Sequence, residues 1–167
     1  MDAKNYKLMD APENDPSLGN WREVIPNRAD LFLESFVLFN DYLVVQETNE
    51  GLTRIRLIKW ADQSEHSIDF GEAAYVAGIG SNPEATSTLL RFTYESMTTP
   101  PSEFDFDMNT HEKKLLKEET VLGGFDRTRY QTERVMVTAR DGARIPVSIV
   151  YRKDKFEKDG SNPCFQY

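Results

Sequence analysis

Residues 32–60, FLESFVLFNDYLVVQETNEGLTRIRLIKW, decide the fold, because apolar and polar side chains alternate along much of this stretch. The run 32–39 ends at the turn Asn40-Asp41, and the apolar residues 42–45 follow at once. From Thr53 to Trp60 the alternation resumes. Successive side chains on a strand point to opposite faces, so this period of two predicts three consecutive strands.

The same strand signal recurs outside this stretch, and no segment of helical length keeps a helical period. Further strands are predicted near residues 6–9, 21–25, 66–70, 75–79, 89–94, 104–108, 130–139 and 143–152. Only residues 112–120 are rich in the good helix formers Lys, Glu and Leu. We interpret residues 112–117 as a strand, because they occupy a strand position in a repeat.

The repeat consists of two units of four strands, offset by roughly 47 residues. Its outer hairpins are residues 55–59 with 66–70, and residues 104–106 with 112–117. Four strands per ~40–50 residues is the period of a β-propeller blade. The sequence therefore predicts an all-β fold: half a blade, two four-stranded antiparallel blades and a long β-hairpin. A β-sandwich also explains short strands at this spacing.

Charge divides the chain near the flexible pair Gly123-Gly124. Residues 1–126 carry 11 basic and 23 acidic side chains, whereas residues 127–167 carry 9 basic and 5 acidic ones. We therefore expect two parts: residues 1–122 as the C-terminal blades of a propeller, and residues 123–167 as a hairpin and linker. A solvated acidic surface followed by a basic tail explains the same charges.

Composition excludes several classes of function. The chain of 167 residues has a net charge of −8, which argues against binding to nucleic acid or to anionic membranes. No stretch reaches the ~20 apolar residues of a membrane span. The single cysteine, Cys164, excludes an internal disulfide and a site built from several thiolates. These features predict a protein of a reducing compartment, the cytoplasm.

Several short motifs occur along the chain: Phe39-Asn40-Asp41-Tyr42-Leu43-Val44-Val45, Glu50-Gly51-Leu52-Thr53, Tyr94-Glu95-Ser96-Met97-Thr98-Thr99-Pro100, Ala139-Arg140-Asp141-Gly142, Ile145-Pro146-Val147-Ser148 and Asn162-Pro163. These motifs resemble the prolyl oligopeptidase family of serine peptidases, and within it the oligopeptidase B group. They occur in the family's order from Asn5 to Tyr167, and this shared order makes the match specific. One departure is Cys164-Phe165-Gln166, where the family usually has an aliphatic run.

The resemblance implies that the chain is a fragment of a longer enzyme. In the family, the catalytic Ser, Asp and His belong to an α/β-hydrolase domain that would follow Tyr167. The parent would cleave oligopeptides after Lys or Arg, and its propeller would filter substrates. We therefore expect no catalytic residue, metal or cofactor here. The expected partners are the peptide substrate, the hydrolase domain, the remaining blades or further copies of the fragment. A stand-alone β-rich binding module is the alternative.

The residues themselves also predict no active site. The two histidines, His66 and His111, follow the polar turns of equivalent hairpins and are interpreted as solvated turn residues. No Gly-x-Ser-x-Gly motif for a serine nucleophile occurs. Asp105 and Asp107 share one strand face and are expected to be exposed, with Phe104 and Phe106 on the core face. Cys164 is interpreted as a buried structural thiol.

Glycine and proline positions predict local geometry. Gly78-x-Gly80 is interpreted as a pair of strand glycines rather than a dinucleotide-binding loop. Pro100-Pro101 predicts an interruption between two strands, because proline cannot donate a ladder hydrogen bond. Asp141-Gly142 favours a type I′ hairpin turn. Its strands would share an apolar face made by residues 135, 137 and 139 on one strand and 145, 147 and 149 on the other.

Overall fold

A computed structural model describes residues 3–166, and strands are the main regular element of this part of the chain. The strands are β1 (Leu8–Asp10), β2 (Arg22–Ile25), β3 (Phe32–Leu38), β4 (Tyr42–Asn49), β5 (Leu52–Lys59), β6 (Glu65–Ser67), β7 (Tyr75–Ile79), β8 (Leu89–Ser96), β9 (Ser102–Asp107), β10 (Lys113–Glu118), β11 (Tyr130–Thr138) and β12 (Arg144–Arg152). Two 3₁₀ turns, Leu18–Asn20 and Arg127–Arg129, are the helical elements among the described residues. The all-β prediction is confirmed.

The strands form four antiparallel sheets in chain order. β1 and β2 pair as half a blade, β3–β6 form blade 1, β7–β10 form blade 2, and β11 pairs with β12. The predicted half blade, two blades and hairpin are therefore confirmed. Residues Lys113–Glu118 form the outer strand of blade 2, so the strand interpretation of this segment is also correct. β6 is shorter than predicted and ends at Ser67.

Blades 1 and 2 bury their largest common core between their facing sheets. Phe92 and Phe106 of blade 2 and Leu57 of blade 1 are at most 2% exposed. Phe92 stacks on Phe104 with ring centroids 5.3 Å apart. Burying a side chain of this size stabilises a fold by about 1.5–3 kcal/mol. The alternation seen in the sequence places this whole set on one face of each sheet, as the period of two requires.

The other face of blade 1 packs on the half blade and contains a buried charge. Leu43 and Val45 contact Ile25 there. Glu47 is only 2% exposed, and both its oxygens accept hydrogen bonds from Arg56, at 2.5 and 3.2 Å. Arg56 also donates to Glu65 at 2.7 Å. This pairing offsets the cost of removing the Glu47 carboxylate from water.

The outer face of blade 2 is polar by contrast. Asp105 accepts two hydrogen bonds from Arg91, at 2.9 and 3.0 Å, and Asp107 accepts backbone hydrogen bonds in the turn after β9. Phe104 and Phe106 lie on the core side as predicted, but the two aspartates are not exposed as expected: Arg91 covers Asp105, whose side chain is only 14% exposed, and Asp107 is half-buried. Gly78 lies within β7, as expected for a strand glycine.

The hairpin β11–β12 has the predicted register, but its turn is not type I′. Val135 pairs with Val147, and Val137 pairs with Ile145. Gly142 alone in this turn has a positive φ, at +87°, and its amide donates to the carbonyl of Ala139. The amide of Ala139 also donates to the carbonyl of Ala143, so three residues, 140–142, lie between this closing pair, and the turn is type I followed by a left-handed glycine.

A type I′ turn occurs instead between β4 and β5. Glu50 and Gly51 have φ values of +50° and +76°, and the flanking residues Asn49 and Leu52 pair directly. Two positive φ values in a two-residue connection match the right-handed twist of the strands.

The segment after β12 folds back on the hairpin. Phe156 stacks on Tyr151 with ring centroids 4.1 Å apart, and Lys158 forms a salt bridge of 2.8 Å with Glu133. Cys164 is exposed, so its interpretation as a buried thiol is wrong. Residues 160–166 lie outside the strands and have no sheet of their own to cover the thiol.

Candidate functional site: the junction between blade 2 and the hairpin

Glu72, in the connection between β6 and β7, accepts hydrogen bonds from four side-chain hydroxyls. Tyr94 and Thr99 donate to Oε1 at 2.9 and 2.5 Å, and Ser96 and Thr98 donate to Oε2, both at 2.6 Å. We name these five residues the Glu72 cluster. Carboxylate hydrogen bonds are stronger than bonds between neutral groups, so the cluster holds the β8–β9 loop in one shape.

Two of the four donors, Tyr94 and Ser96, lie at the end of β8, and the other two, Thr98 and Thr99, lie in the loop before β9. The predicted interruption between the two strands is present, since Pro100 and Pro101 lack amide hydrogens for a ladder and β9 begins only at Ser102. The Ser96 hydroxyl accepts hydrogen bonds from the amides of Thr98 and Thr99, at 3.0 and 2.9 Å. This local turn points both threonine hydroxyls at Glu72.

Electrostatics keep Glu72 ionised. Burial alone would raise the pKa of this carboxyl, but the hydroxyl donors outweigh burial, and the pKa of Glu72 lies below its ordinary value. Burial and the hydrogen bond to Glu72 raise the pKa of Tyr94. At neutral pH the cluster is therefore one anion surrounded by four neutral donors, an arrangement that positions a loop and supplies no general base.

The hairpin contacts the blades at two places. The Thr132 hydroxyl of β11 lies 3.4 Å from the Thr98 hydroxyl, and Thr132 is only 7% exposed. Arg134 donates to the carbonyl oxygen of Glu50 in the β4–β5 turn of blade 1. The ring of Pro146 approaches Gly51 of the same turn, where an added Cβ would lie 3.5 Å from it. The hairpin thus spans both blades.

These contacts come from one face of the hairpin. Residues 132, 134 and 136 alternate with residues 135 and 137 along β11, so the two sets point to opposite sides. The set that includes Thr132 and Arg134 faces the blades. The opposite face of the hairpin is apolar, and its side chains are between 37% and 48% exposed: Val135, Val137, Ile145 and Val147. The predicted apolar face is therefore present and points away from the blades.

The remaining candidate residues of the sequence lie elsewhere. His111 is exposed in the turn between β9 and β10, as predicted. His66, however, is a half-buried residue of β6 and stacks on His111, so its interpretation as a solvated turn residue is wrong. The cause is packing, because the side of β6 that carries His66 faces blade 2. Residues 3–166 contain no cluster of three His, Cys, Asp or Glu side chains able to hold a metal ion.

Sequence reasoning missed Glu72 as the centre of the junction. The motif at residues 94–100 was identified as a whole, but nothing in the sequence links it to a glutamate 22 residues before Tyr94. The available signal was three hydroxyl residues beside a proline pair, which is unusual for a strand connection. Thr132 gave no signal, because one threonine among strand residues is ordinary.

Comparison with known proteins assigns this architecture to a family. Residues 1–119 match the family model described as prolyl oligopeptidase, N-terminal beta-propeller domain. The chain belongs to the prolyl oligopeptidase family. It is 41% identical over 166 residues to a dipeptidyl aminopeptidase BI of Pseudoxanthomonas mexicana, covering 99% of this chain and 22% of that protein. It is 27% identical to a protease 2 of Moraxella lacunata, covering 99% of the chain and 23% of the relative.

A solved structure gives the same assignment. Oligopeptidase B from Leishmania major superimposes with a TM-score of 0.78 at 31% sequence identity, over 91% of this chain and 22% of that protein. The chain thus spans about a fifth of the length of these relatives. It corresponds to a propeller portion of family peptidases. Among residues 3–166, no helix is long and apolar enough to cross a membrane.

Proposed function

We propose that this chain is the substrate-gating part of a prolyl oligopeptidase-family peptidase. In this proposal residues 1–122 are blades that restrict access to an active site. Residues 123–167 form the connection into an α/β-hydrolase domain that supplies the catalytic residues. The observation that carries the proposal is the orientation of the hairpin, whose polar face contacts both blades while its apolar face points away.

The exposed apolar strip of the hairpin is the surface that the catalytic domain would cover. Val135, Val137, Ile145 and Val147 form a continuous strip across paired strands. An apolar strip left in water marks an interaction surface when it is contiguous. Its position opposite the blade contacts allows one hairpin to bind blades on one face and a second domain on the other.

A second exposed surface fits further strands of the propeller. Phe36 and Leu38 of β3 are 45% and 56% exposed, and they lie on the same face as Val45 and Leu43. The half blade covers the outer part of this face. Two additional strands beside β1 and β2 would complete a four-stranded blade and cover the inner part.

The proposed substrates are oligopeptides. The balance of −12 in residues 1–126 suits a channel that concentrates basic peptides, because a wall of one charge sign attracts the opposite sign. Cleavage after Lys or Arg, as in the oligopeptidase B group, is the specificity that we propose. A second candidate is the removal of dipeptides from free N-termini, which is favoured by the 41% identity to a protein named dipeptidyl aminopeptidase BI.

Reading the gene beyond the Tyr167 codon and assaying its product tests the proposal. An in-frame continuation encoding a hydrolase domain is expected, with turnover of arginyl amide substrates. Amino-blocked peptide amides distinguish the two specificities: an oligopeptidase B-like enzyme cleaves them, whereas a dipeptidyl aminopeptidase needs the free amine. A stop codon directly after Tyr167 in the native gene would contradict the gating role and support a stand-alone binding module.

The isolated chain is expected to be inactive and to self-associate. In the described residues the histidines contact each other and an aromatic ring, which leaves no serine–histidine pair for nucleophilic catalysis. The exposed edges of β3 and β10 and the apolar hairpin strip favour contacts between copies. Size-exclusion chromatography with light scattering tests this, and a clean monomer would contradict it.

We place the protein in the cytoplasm, without a nucleic-acid or membrane partner.

A further inference from the structure

The two histidines of the chain meet at the outer edge of the contact between blades. His66 lies on β6 of blade 1, and His111 lies in the β9–β10 turn of blade 2. Their ring centroids are 3.6 Å apart and the planes are inclined by 13°. Phe106 flanks both rings, with centroids 5.9 Å from His66 and 6.0 Å from His111. We call His66 and His111 the histidine pair.

Few charged groups face the histidine pair. On β5 the residue opposite His66 is Leu57, and the neighbouring Glu65 on β6 bonds to Arg56 of the other sheet face. In the β9–β10 turn, Asp107 interacts with the charge of His111, and Glu112 is exposed. On β10, Lys113 donates to the carbonyl oxygen of Asp69, just beyond β6. One carboxylate, that of Asp107, thus interacts with one ring of the pair.

This arrangement accommodates one proton more easily than two. Protonation of both rings would place two cations face to face, with ring centroids 3.6 Å apart. Like charges at this separation repel, and the half-buried position of His66 weakens the screening by water. Burial first, and then the charge of His111, lower the pKa of His66. Metal binding does not fit the pair, because parallel stacked rings direct their in-plane nitrogen lone pairs side by side rather than to one point.

We propose that the histidine pair is an acid-sensitive contact that holds the outer hairpins of blades 1 and 2 together at neutral pH and releases them on double protonation. Release follows the second proton, and the lowered pKa of His66 sets it below the ordinary histidine value of about 6.5. The apolar core further inside would keep the blades joined, and only the outer edge would open. Neither a peptidase function nor a catalytic domain is needed for this device.

Nuclear magnetic resonance of the 167-residue chain tests the proposal directly, because only two histidine ring signals exist. At about pH 7.5 we expect cross-relaxation between the His66, His111 and Phe106 rings, and its loss as the pH falls through the measured His66 midpoint. His66 should titrate below the ordinary value of about 6.5. In His111→Asn, the His66 midpoint should move up toward that value, because the charged neighbour is gone. Asparagine tolerates the positive φ of 63° at position 111.

The matched control is Glu112→Gln, which changes an exposed carboxylate of the same turn and keeps both rings. It should leave the His66 midpoint unchanged. Inter-ring contacts that persist below the measured His66 midpoint, or a His66 midpoint identical in the wild type and His111→Asn, would overturn the proposal. If His111→Asn does not fold, the wild-type chain still tests the proposal. Its rings should lose contact on acidification, and its His66 midpoint should lie below that of an isolated histidine.

Discussion

The blade core and the hairpin are both regular antiparallel structure, yet they are stabilised differently. Between blades 1 and 2, Leu57, Leu90 and Phe92 are at most 1% exposed and pack on one another's sheets. In the hairpin, the apolar residues of one face remain between 37% and 48% exposed. The blades therefore bury an apolar core within the described chain. The hairpin instead relies on the hydrogen bonds between its two strands and on a few polar contacts with the blade loops.

The difference shows that strand pairing and stability are separate properties here. A two-stranded hairpin in water is marginally stable at best. The hairpin is held by the contacts of Thr132 and Arg134 with the blade loops. We therefore expect the blades to be stable without the hairpin, and the hairpin to depend on the blade loops that it contacts.

The largest expected effect comes from the blade core. Phe92→Ala removes a ring that is 1% exposed and stacked on Phe104, and should lower the free energy of unfolding by about 3–5 kcal/mol. The matched change in the hairpin strip, Val147→Ala, should alter it by no more than about 0.5 kcal/mol. Urea unfolding measures both. Equal losses would mean that the hairpin strip is buried in solution.

A smaller effect is expected at the Glu72 cluster. Glu72→Gln replaces an acceptor of four hydroxyl hydrogen bonds by a neutral amide, and should cost about 1–3 kcal/mol. Glu95→Gln, an exposed glutamate of the same blade, is the control and should be neutral. Hydrogen exchange should increase in the β8–β9 loop and in β11 of Glu72→Gln. An increase confined to the loop would show that the Glu72 cluster does not stabilise the hairpin.

The cluster also predicts a pH dependence. Because the pKa of Glu72 is lower in the folded chain than in the unfolded chain, its contribution to stability is complete above about pH 4.5. It is lost as the pH falls through the lowered pKa, where the carboxylate takes up a proton. Urea midpoints below pH 4.5 should therefore fall more steeply in the wild type than in Glu72→Gln. Parallel curves would show that Glu72 is not preferentially ionised in the fold.

The smallest loss of stability is expected when the contact between the hydroxyls of Thr132 and Thr98 is removed. Thr132→Val removes one hydroxyl, while the Thr98 hydroxyl keeps its bond to Glu72, so we expect a loss of about 0.5–1.5 kcal/mol. Amide exchange in β11 should rise and exchange in β8 should not. Thr138→Val, at an exposed position of the same strand, is the control. A rise of the same size in the control would assign the effect to strand propensity.

Strand positions and sheet faces were accessible to sequence reasoning because the period of two is a local property. The alternation in β5 and β8 and the apolar run of β4 correctly predicted strands, and the repeat correctly assigned residues 112–117 to a strand despite their helix-forming composition. The half blade, the two blades and the hairpin register were likewise predicted. Each of these features depends on residues close together in the chain.

Two of the features that were missed depend on contacts between distant segments. Glu72 meets its donors across 22 to 27 residues, and His66 meets His111 across a blade boundary. Cys164 was predicted to be buried from its apolar neighbours, but no described sheet covers it. The hairpin turn was assigned from the dipeptide Asp141-Gly142, although the turn type depends on how many residues connect the paired strands.

Hydrogen exchange of the whole chain, followed residue by residue, tests most directly the claim that the blades are a self-sufficient core and the hairpin a dependent element. We predict that the amides of β4, β5 and β8 exchange slowly and together, as one cooperative unit. The amides of β11 and β12 should exchange faster. Protection of the hairpin equal to that of the blade core would contradict the account, because it would show that the hairpin is stabilised independently of a second domain.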